Sequence, residues 1–542
     1  MAKQNECQRF VLKIHSSRLR RVKWKLTLPL SEARKNGEIV SLASSQMLRW
    51  IDELNGVSDA DERAHAIHQE IKQIRGEPFS TANRRRVRAL YEELDKIQFK
   101  PDYLLLTADK ISDFRRACKG FTVNGIRYER LLGTPGGIKN STVVFVSQAL
   151  VSELRRRIDN GRDLSKAFIP AKLEAYRALT CSASIPVSFP KGVLVVQDAE
   201  TEFEDTVIEL SSETDGEPIM SEPVKRNVRL TISDGCGMML PSLAERWSSE
   251  IGLKYMMGGC NTRCAFEKGM VYTFPFDEYA DSLGRYFVKD AWGNMQDIRR
   301  VELVLTVSML KLWDSYGSIE EYLSNCHENH YTFAITKACP ESLENERCLN
   351  YQFIQGYDMT DEDIDELTAP TRNELHDVLG GDWKKMVLFL AGQGLSEKNA
   401  EKVRDPFVKA MMYDSRVAND PYVRGQVYQL IRKRIDEAKT GVLKVHGNYS
   451  MMCGDLYALC QSIFGEPITG LLKAGEIWNA YWADTDAEEL VGFRAPMSVH
   501  SNIRRLVPAR GEQVRHWFRY MRSCTVMSPW SNEMNAMNGA DL

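Results

Sequence analysis

Five side chains carry the chemistry this sequence offers most directly. Two are carboxylates: Asp234, within Ser233-Asp234-Gly235-Cys236-Gly237, and Asp541, within Asn538-Gly539-Ala540-Asp541-Leu542. Three are cations: Arg263 and Lys268, within Asn261-Thr-Arg263-Cys-Ala-Phe-Glu-Lys268-Gly269-Met-Val271, and Arg494, within Arg494-Ala495-Pro496. Carboxylate oxygens suit hard cations such as magnesium. A lysine ammonium is a compact point charge, and an arginine guanidinium is a planar fork of donors that fits phosphate and sugar oxygens. The glycines beside Asp234 allow a tight turn from which it can project. A second glycine-rich stretch, Leu132-Gly-Thr-Pro-Gly-Gly-Ile-Lys139, could cradle a phosphate through backbone N–H groups. It lacks the Gly-x4-Gly-Lys-Ser/Thr spacing of a P-loop, and a plain turn is the better reading.

The elements that must position these groups come from a chain of 542 residues, long enough for several domains. Its hydrophobic share of 43% and charged share of 27% are those of a folded globular protein. Net charge is −3, so any contact with nucleic acid must come from local clusters of Lys and Arg. Two such clusters stand out: Arg18, Arg20, Arg21, Lys23 and Lys25, then Arg84, Arg85, Arg86 and Arg88. Each reads as a backbone-binding patch or, more plainly, as a solvated helix face. The 12 cysteines are irregularly spaced and read as reduced thiols. Cys326, His327 and His330 lack the paired spacing of a zinc ribbon. The N-terminal residues have no apolar signal core, and no run reaches the length of a membrane span. The expectation is a protein of the cytoplasm of a bacterial or phage-infected host cell, with no membrane partner.

Taken in order, residues 1–120 read as a helical, charged N-terminal region, and 121–224 as an α/β region leading into a core. Asn124-Gly125 signals a hairpin, and Thr142–Val146 and Gly192–Val196 read as strands. Residues 225–300 read as β-rich, opening on the alternating run Asn227–Ile232, with a helix starting near Pro241. Residues 301–440 read as a helical insertion, and Arg300–Trp313 as a buried helix. Strand patterns return over 441–542.

With these residues placed, Ser-Asp-Gly-x-Gly followed by Arg-x4-Lys-Gly-x-Val, then Gly454-Asp455, Arg494-Ala495-Pro496 and Asn538-Gly539-Ala540-Asp541, resembles the two-barrel RNA polymerase superfamily. The resemblance is to the YonO-like and crAss-like phage enzymes and to the core of the eukaryotic RNA-silencing polymerases. It covers residues 225 to 542; the first 200 residues match no motif. It implies an α+β fold with two double-psi β-barrels, the first over 225–300 and the second over 441–542, with helical N-terminal and inserted regions. In that family an Asp-x-Asp-Gly-Asp loop holds catalytic magnesium. This sequence supplies Asp541 and one further residue, so the second barrel is expected to be truncated and the chain inactive alone.

The resemblance also implies roles. Asp541 would bind Mg2+, Lys268 would neutralise the triphosphate, Arg494 would read the ribose 2′-hydroxyl, Arg263 would contact phosphate and Asp234 would serve the second metal. The implied partners are a nucleic-acid template, the RNA product and nucleoside triphosphates. A C-terminal half or second subunit carrying Asp-Gly-Asp would complete the site. The competing reading is a non-catalytic nucleic-acid-binding or assembly subunit that keeps the barrel scaffold. A third is an unrelated α+β enzyme using the Lys139 loop.

Overall fold

The computed structural model describes residues 8–57, 59–211, 219–355, 358–391, 403, 405–497 and 500–537. The chain divides into two compact units with interleaved sequence. One holds residues 1–198, 234–338 and 463–465; the other holds 199–233, 339–462 and 466–542.

The first unit opens with a seven-stranded sheet. Its strands are β1 (Arg9–His15), β2 (Lys25–Leu26), β3 (Ile39–Leu42), β4 (Phe99–Thr107), β5 (Phe121–Val123), β6 (Ile126–Leu132) and β7 (Thr142–Ser147), in spatial order β2-β5-β6-β7-β4-β1-β3. Between β3 and β4 run helix α1 (Gln46–Leu54) and a hairpin of two longer helices, α2 (Ala60–Gly76) and α3 (Thr81–Gln98). Residues 1–120 are therefore mixed rather than helical. The charged helices dominate the composition there, while β1 and β4 are short runs whose side chains alternate between two cores. Val11 packs with Trp50, Val146 and Trp247, whereas Leu12 and Ile14 pack with Leu104, Phe121 and Phe145. Alternation at period two places neighbours on opposite faces of a sheet. Arg9 and Lys100 are both buried, and both pair with the buried Asp52 of α1.

The Asn124-Gly125 hairpin forms as its sequence asks. β5 and β6 pair antiparallel, Phe121 opposite Tyr128, and both turn residues take positive φ, 51° and 83°. The glycine-rich stretch after β6 is a short helix, Pro135–Lys139, capped by the Thr134 hydroxyl.

A second seven-stranded sheet follows in the same unit. Its strands are β8 (Ile185–Val187), β9 (Val193–Val196), β10 (Cys236–Met239), β11 (Gly259–Cys264), β12 (Glu267–Thr273), β13 (Leu303–Thr306) and β14 (Phe333–Ala338). Their order is β8-β14-β11-β12-β10-β13-β9, with parallel and antiparallel pairings mixed. Arg300–Trp313 is thus not a helix. Leu303, Val304, Leu305 and Thr306 are all buried, so the strand reads as a continuous apolar run. Such a run has no period to separate it from a buried helix. Strands β13 and β14 also correct the expectation of a helical insertion from residue 301.

The second unit contains a long hairpin, Glu200–Val207 against Val224–Thr231, paired through eight successive positions. The strand expected at Asn227–Ile232 exists, but it belongs to this unit and not with β10–β12. Helices Asp361–Leu379, Trp383–Ala391, Pro406–Tyr413 and Pro421–Ala438 form a cluster around Val378, Met386, Val408, Met411 and Ile431. A five-stranded sheet closes the chain: β15 (Met451–Cys453), β16 (Glu476–Trp478), β17 (Leu490–Gly492), β18 (Arg504–Pro508) and β19 (Cys524–Met527), in the order β15-β19-β16-β18-β17. No described helix is long and apolar enough to cross a membrane.

Candidate active site

The β11–β12 hairpin is the centre of the candidate site in the first unit. Its register sets Arg263 opposite Lys268 and Thr262 opposite Gly269. Directly paired residues point to the same face, so two cations share one side of the hairpin. Both are half-buried. Burial holds the Arg263 guanidinium below its usual range, with Glu267 opposing that shift. Its Nη1 donates to the Thr262 carbonyl at 2.5 Å, while its buried Nε has no protein acceptor.

Parallel pairing of β10 with β12, Cys236 opposite Met270, brings the Asp234 turn to the same place. The Met270 N–H donates to the Gly235 carbonyl at 2.9 Å. A Cβ on Gly269 would lie 2.8 Å from that carbonyl oxygen, so only glycine permits this approach. Gly235 itself takes φ 64°. Asp234 is half-buried on this turn.

Four further groups complete the cluster, and the sequence alone does not mark them. The Gly235 N–H donates to Ser308 Oγ at 2.8 Å. Ser308 donates in turn to Asp198, from its N–H at 3.0 Å and its hydroxyl at 2.8 Å. Lys311 Nζ donates to the Ser308 carbonyl. The Lys268 N–H donates to the Met309 carbonyl at 3.0 Å and the Lys311 N–H to the Phe266 carbonyl at 3.1 Å, which clips the Ser308–Lys311 segment against β12. A third cation therefore stands beside the Arg263–Lys268 hairpin. A cavity of about 370 Å3 opens next to it, lined by Ser308, Lys311, Lys172, Tyr176 and Trp313. The segment is hidden in the sequence because Arg300–Trp313 reads as one apolar helix.

Glu267 is the fourth group. It is 0% exposed, accepts from Thr262 Oγ1 at 2.6 Å, and its other oxygen has no protein partner. Burial pushes its pKa up from 4.5 to about 7, against the pull of Thr262 and Arg263.

Arg494 lies in the second unit. It follows β17, is half-buried, and precedes a cis Ala495–Pro496 bond. It lines a cavity of about 680 Å3 together with His446, Tyr449, Trp482 and Phe493. Arg347 stacks over the Tyr449 ring at 4.7 Å, and His446 meets Trp482 edge-on. Gly454-Asp455, part of the motif set, has a structural use here. Buried Asp455 accepts from the N–H groups of Tyr457, Ala458 and Leu471 at 2.6–3.1 Å, which caps the helix Leu456–Ile463 and anchors the loop at Leu471.

Residues 538–542 lie outside the described residues, so the expected approach of Asp541 to Lys268 falls outside them too. Among the described residues no three His, Cys, Asp or Glu side chains converge as a metal site. They do not by themselves fit a magnesium ion. Cys326, His327 and His330 are likewise engaged elsewhere: Cys326 with Asn160 and Cys264, His327 against Phe189, His330 with Glu53.

Residues 84–528 match the family model for RNA-dependent RNA polymerase. The chain belongs to the RNA-dependent RNA polymerase family. The match spans Arg263, Lys268, Lys311 and Arg494. The chain is also similar to the DNA-directed RNA polymerase YonO of Bacillus phage SPbeta, with 28% identity over 376 residues, 66% of this chain and 41% of that protein. It thus spans less than half the length of that relative. Among solved structures it is similar to the RNA-dependent RNA polymerase QDE-1 from Thielavia terrestris, with a TM-score of 0.47 and 15% identity, over 81% of this chain and 48% of that one.

Proposed function

We propose that this member of the RNA-dependent RNA polymerase family serves template-directed RNA synthesis: transfer of a nucleotidyl group from a nucleoside triphosphate to an RNA 3′-hydroxyl, on a DNA or RNA template. The observation that carries the reading is the pairing of Arg263 with Lys268 on one face of a hairpin inside the family-matched stretch. Like charges set opposite one another are destabilising, and a bound anion relieves that repulsion. A triphosphate is an anion of the right charge and reach.

The reaction asks the protein for position and charge more than for covalent chemistry. Lys268 and Lys311 would hold the triphosphate and neutralise charge that grows on the phosphoryl oxygens. Arg263, with its unmatched Nε, would add a directed donor. Arg494, in a cavity walled by aromatic rings, would recognise the ribose and its 2′-hydroxyl. Asp234 would serve a metal carried by the triphosphate. Magnesium is the proposed cofactor, held by Asp541 with carboxylates of an Asp-Gly-Asp segment from a C-terminal half or second subunit; bound there it would lower the pKa of the attacking hydroxyl. The mixed sheets of the two units are proposed to be the two double-psi barrels of the superfamily. The proposed location is the cytoplasm of a phage-infected bacterium, where template, transcript and triphosphates coexist.

The test is primed RNA extension by the chain mixed with an Asp-Gly-Asp-bearing C-terminal segment, on RNA and DNA templates. Extension that requires both parts and magnesium supports the reading. Nucleic-acid binding without extension under every combination overturns it in favour of a non-catalytic scaffold.

A further inference from the structure

The α2–α3 hairpin ends in a tip that neither the catalytic cluster nor its supporting sheets use. The stem is self-sufficient. Ala64, Ile67 and Ile71 of α2 pack on Leu94 and Ile97 of α3, with Val57, Val87 and Leu90 filling in. α3 is capped by the Ser80 hydroxyl, which accepts from the Asn83 N–H at 3.0 Å. None of these core residues lies in the connector between the two helices.

Charge is unevenly spread along the stem. The end near β4 carries Glu92, Glu93 and Asp95, while the tip carries Lys72, Arg75, Arg84, Arg85, Arg86 and Arg88, all exposed, against one acid in the connector, Glu77, which accepts from Asn83 Nδ2 at 3.0 Å. Part of this charge is spent internally: Arg86 pairs with Glu70, Arg88 with Glu92, and Arg75 lies over the Tyr91 ring. Lys72, Arg84 and Arg85 form no ion pair with a described residue. At the apex between the two helices sits Phe79, 85% exposed. A phenylalanine held in water at the turn of a short connector contributes nothing to the hairpin's own stability.

We propose that this tip is a binding surface for single-stranded nucleic acid, with Phe79 stacking on an unpaired base while Lys72, Arg84 and Arg85 hold the flanking phosphates. A basic surface with one aromatic side chain is the combination that single strands call for, because every base offers a π-face and every linkage a charge. The interior of a duplex would leave the ring no base to stack on, because its bases are already stacked on one another. Arginine dominates the patch, and its planar fork suits phosphate. The inference rests on the polymerase reading only for its expectation that a strand is present. It concerns a surface separate from the Arg263–Lys268 hairpin.

The experiment uses the full chain and fluorescently labelled oligo(dT) and oligo(rU), with a blunt duplex of equal length as comparison, titrated over a range of salt. Lys72→Gln/Arg84→Gln/Arg85→Gln is expected to weaken single-strand binding at least tenfold and to flatten the salt slope by about 0.7 for each phosphate no longer neutralised. Phe79→Ala is expected to weaken single-strand binding by about tenfold and to leave duplex binding unchanged. Removing three exposed charges elsewhere, Lys384→Gln/Lys409→Gln/Lys433→Gln, is expected to change neither. Since every substituted side chain is exposed, melting temperatures should match the parent and show that the fold survives. Weakened binding in both oligonucleotide arms marks a single-strand site, and weakening in one alone identifies which polynucleotide it takes. Unchanged binding in both tip variants, or equal competition by poly-glutamate, overturns the inference while leaving the polymerase reading standing. Failed primer extension with tip-dependent binding intact does the reverse.

Discussion

Arg263 and Lys268 stand directly opposite one another across the β11–β12 hairpin, and the Ser308–Lys311 segment is clipped to the same strand as Lys268. Backbone pairing thereby sets the positions of three cations, with the buried Glu267 carboxyl beside Arg263 and Lys311. Pairing fixes where an anion must lie before it arrives, which is the preorganisation that phosphoryl chemistry rewards. It follows that removing the charge of Arg263 should damage substrate handling before it damages the fold. Arg263→Ala is expected to raise the KM for nucleoside triphosphates about tenfold or more, with a smaller fall in kcat and a modest fall in melting temperature, because buried Glu267 loses its neighbouring cation. Steady-state extension kinetics of the complemented enzyme measure this. An unchanged KM would remove Arg263 from the substrate site.

Glu267 gives the hairpin a dependence on pH. Its folded pKa, about 7, lies above the ordinary value of 4.5 because the carboxyl is fully buried. The sign follows: the folded state holds its proton longer than the unfolded state does. Stability from this group is whole below pH 4.5 and is lost as pH rises through about 7, by roughly 3 kcal/mol. Glu267→Gln keeps an acceptor for Thr262 and cannot ionise. Denaturant titrations at pH 5 and pH 8 should show the parent losing stability between them and the variant losing far less.

Arg494 is the group proposed to read the sugar. Arg494→Ala should lower discrimination between ribonucleotides and deoxyribonucleotides by about 10- to 100-fold, the worth of one charged hydrogen bond. Competition assays with paired NTP and dNTP substrates read this directly. A variant that loses overall rate but keeps its discrimination would place the 2′-hydroxyl contact elsewhere.

Gly454 bears on the fold of the second unit alone. A Cβ there would lie 1.7 Å from the carbonyl oxygen of Ile232, a backbone atom that cannot swing aside. Gly454→Ala should cost ~3 kcal/mol or more. Asp455→Ala should cost ~1–3 kcal/mol, because it strips three backbone donors of their shared acceptor. Thermal melts distinguish both from a parent-like protein, and neither loss should be rescued by added triphosphate.

How much of the fold and the site is legible in the sequence follows from how locally each feature is determined. The Asn124-Gly125 turn is legible because both residues tolerate positive φ and their neighbours alternate. The Asn227–Ile232 strand is legible, but its partner at Glu200–Val207 is not, because no local pattern announces a pairing across the intervening acidic stretch of sequence. Leu303–Thr306 reads as helix in the sequence because a strand buried on both faces has no polar side to give it a period. That ambiguity conceals Lys311, whose place against Phe266 depends on tertiary pairing. Arg263 and Lys268 stand out through motif likeness, while their shared face needs the register. Glu267 between them looks like an ordinary hairpin acid; only its complete burial marks it out.

The most direct measurement compares Lys268→Ala and Lys268→Arg with the parent in single-turnover RNA extension by the complemented enzyme. The account predicts that alanine lowers the rate at least a hundredfold, that arginine recovers part of it, and that all three proteins melt alike. Full-rate extension by Lys268→Ala would contradict it.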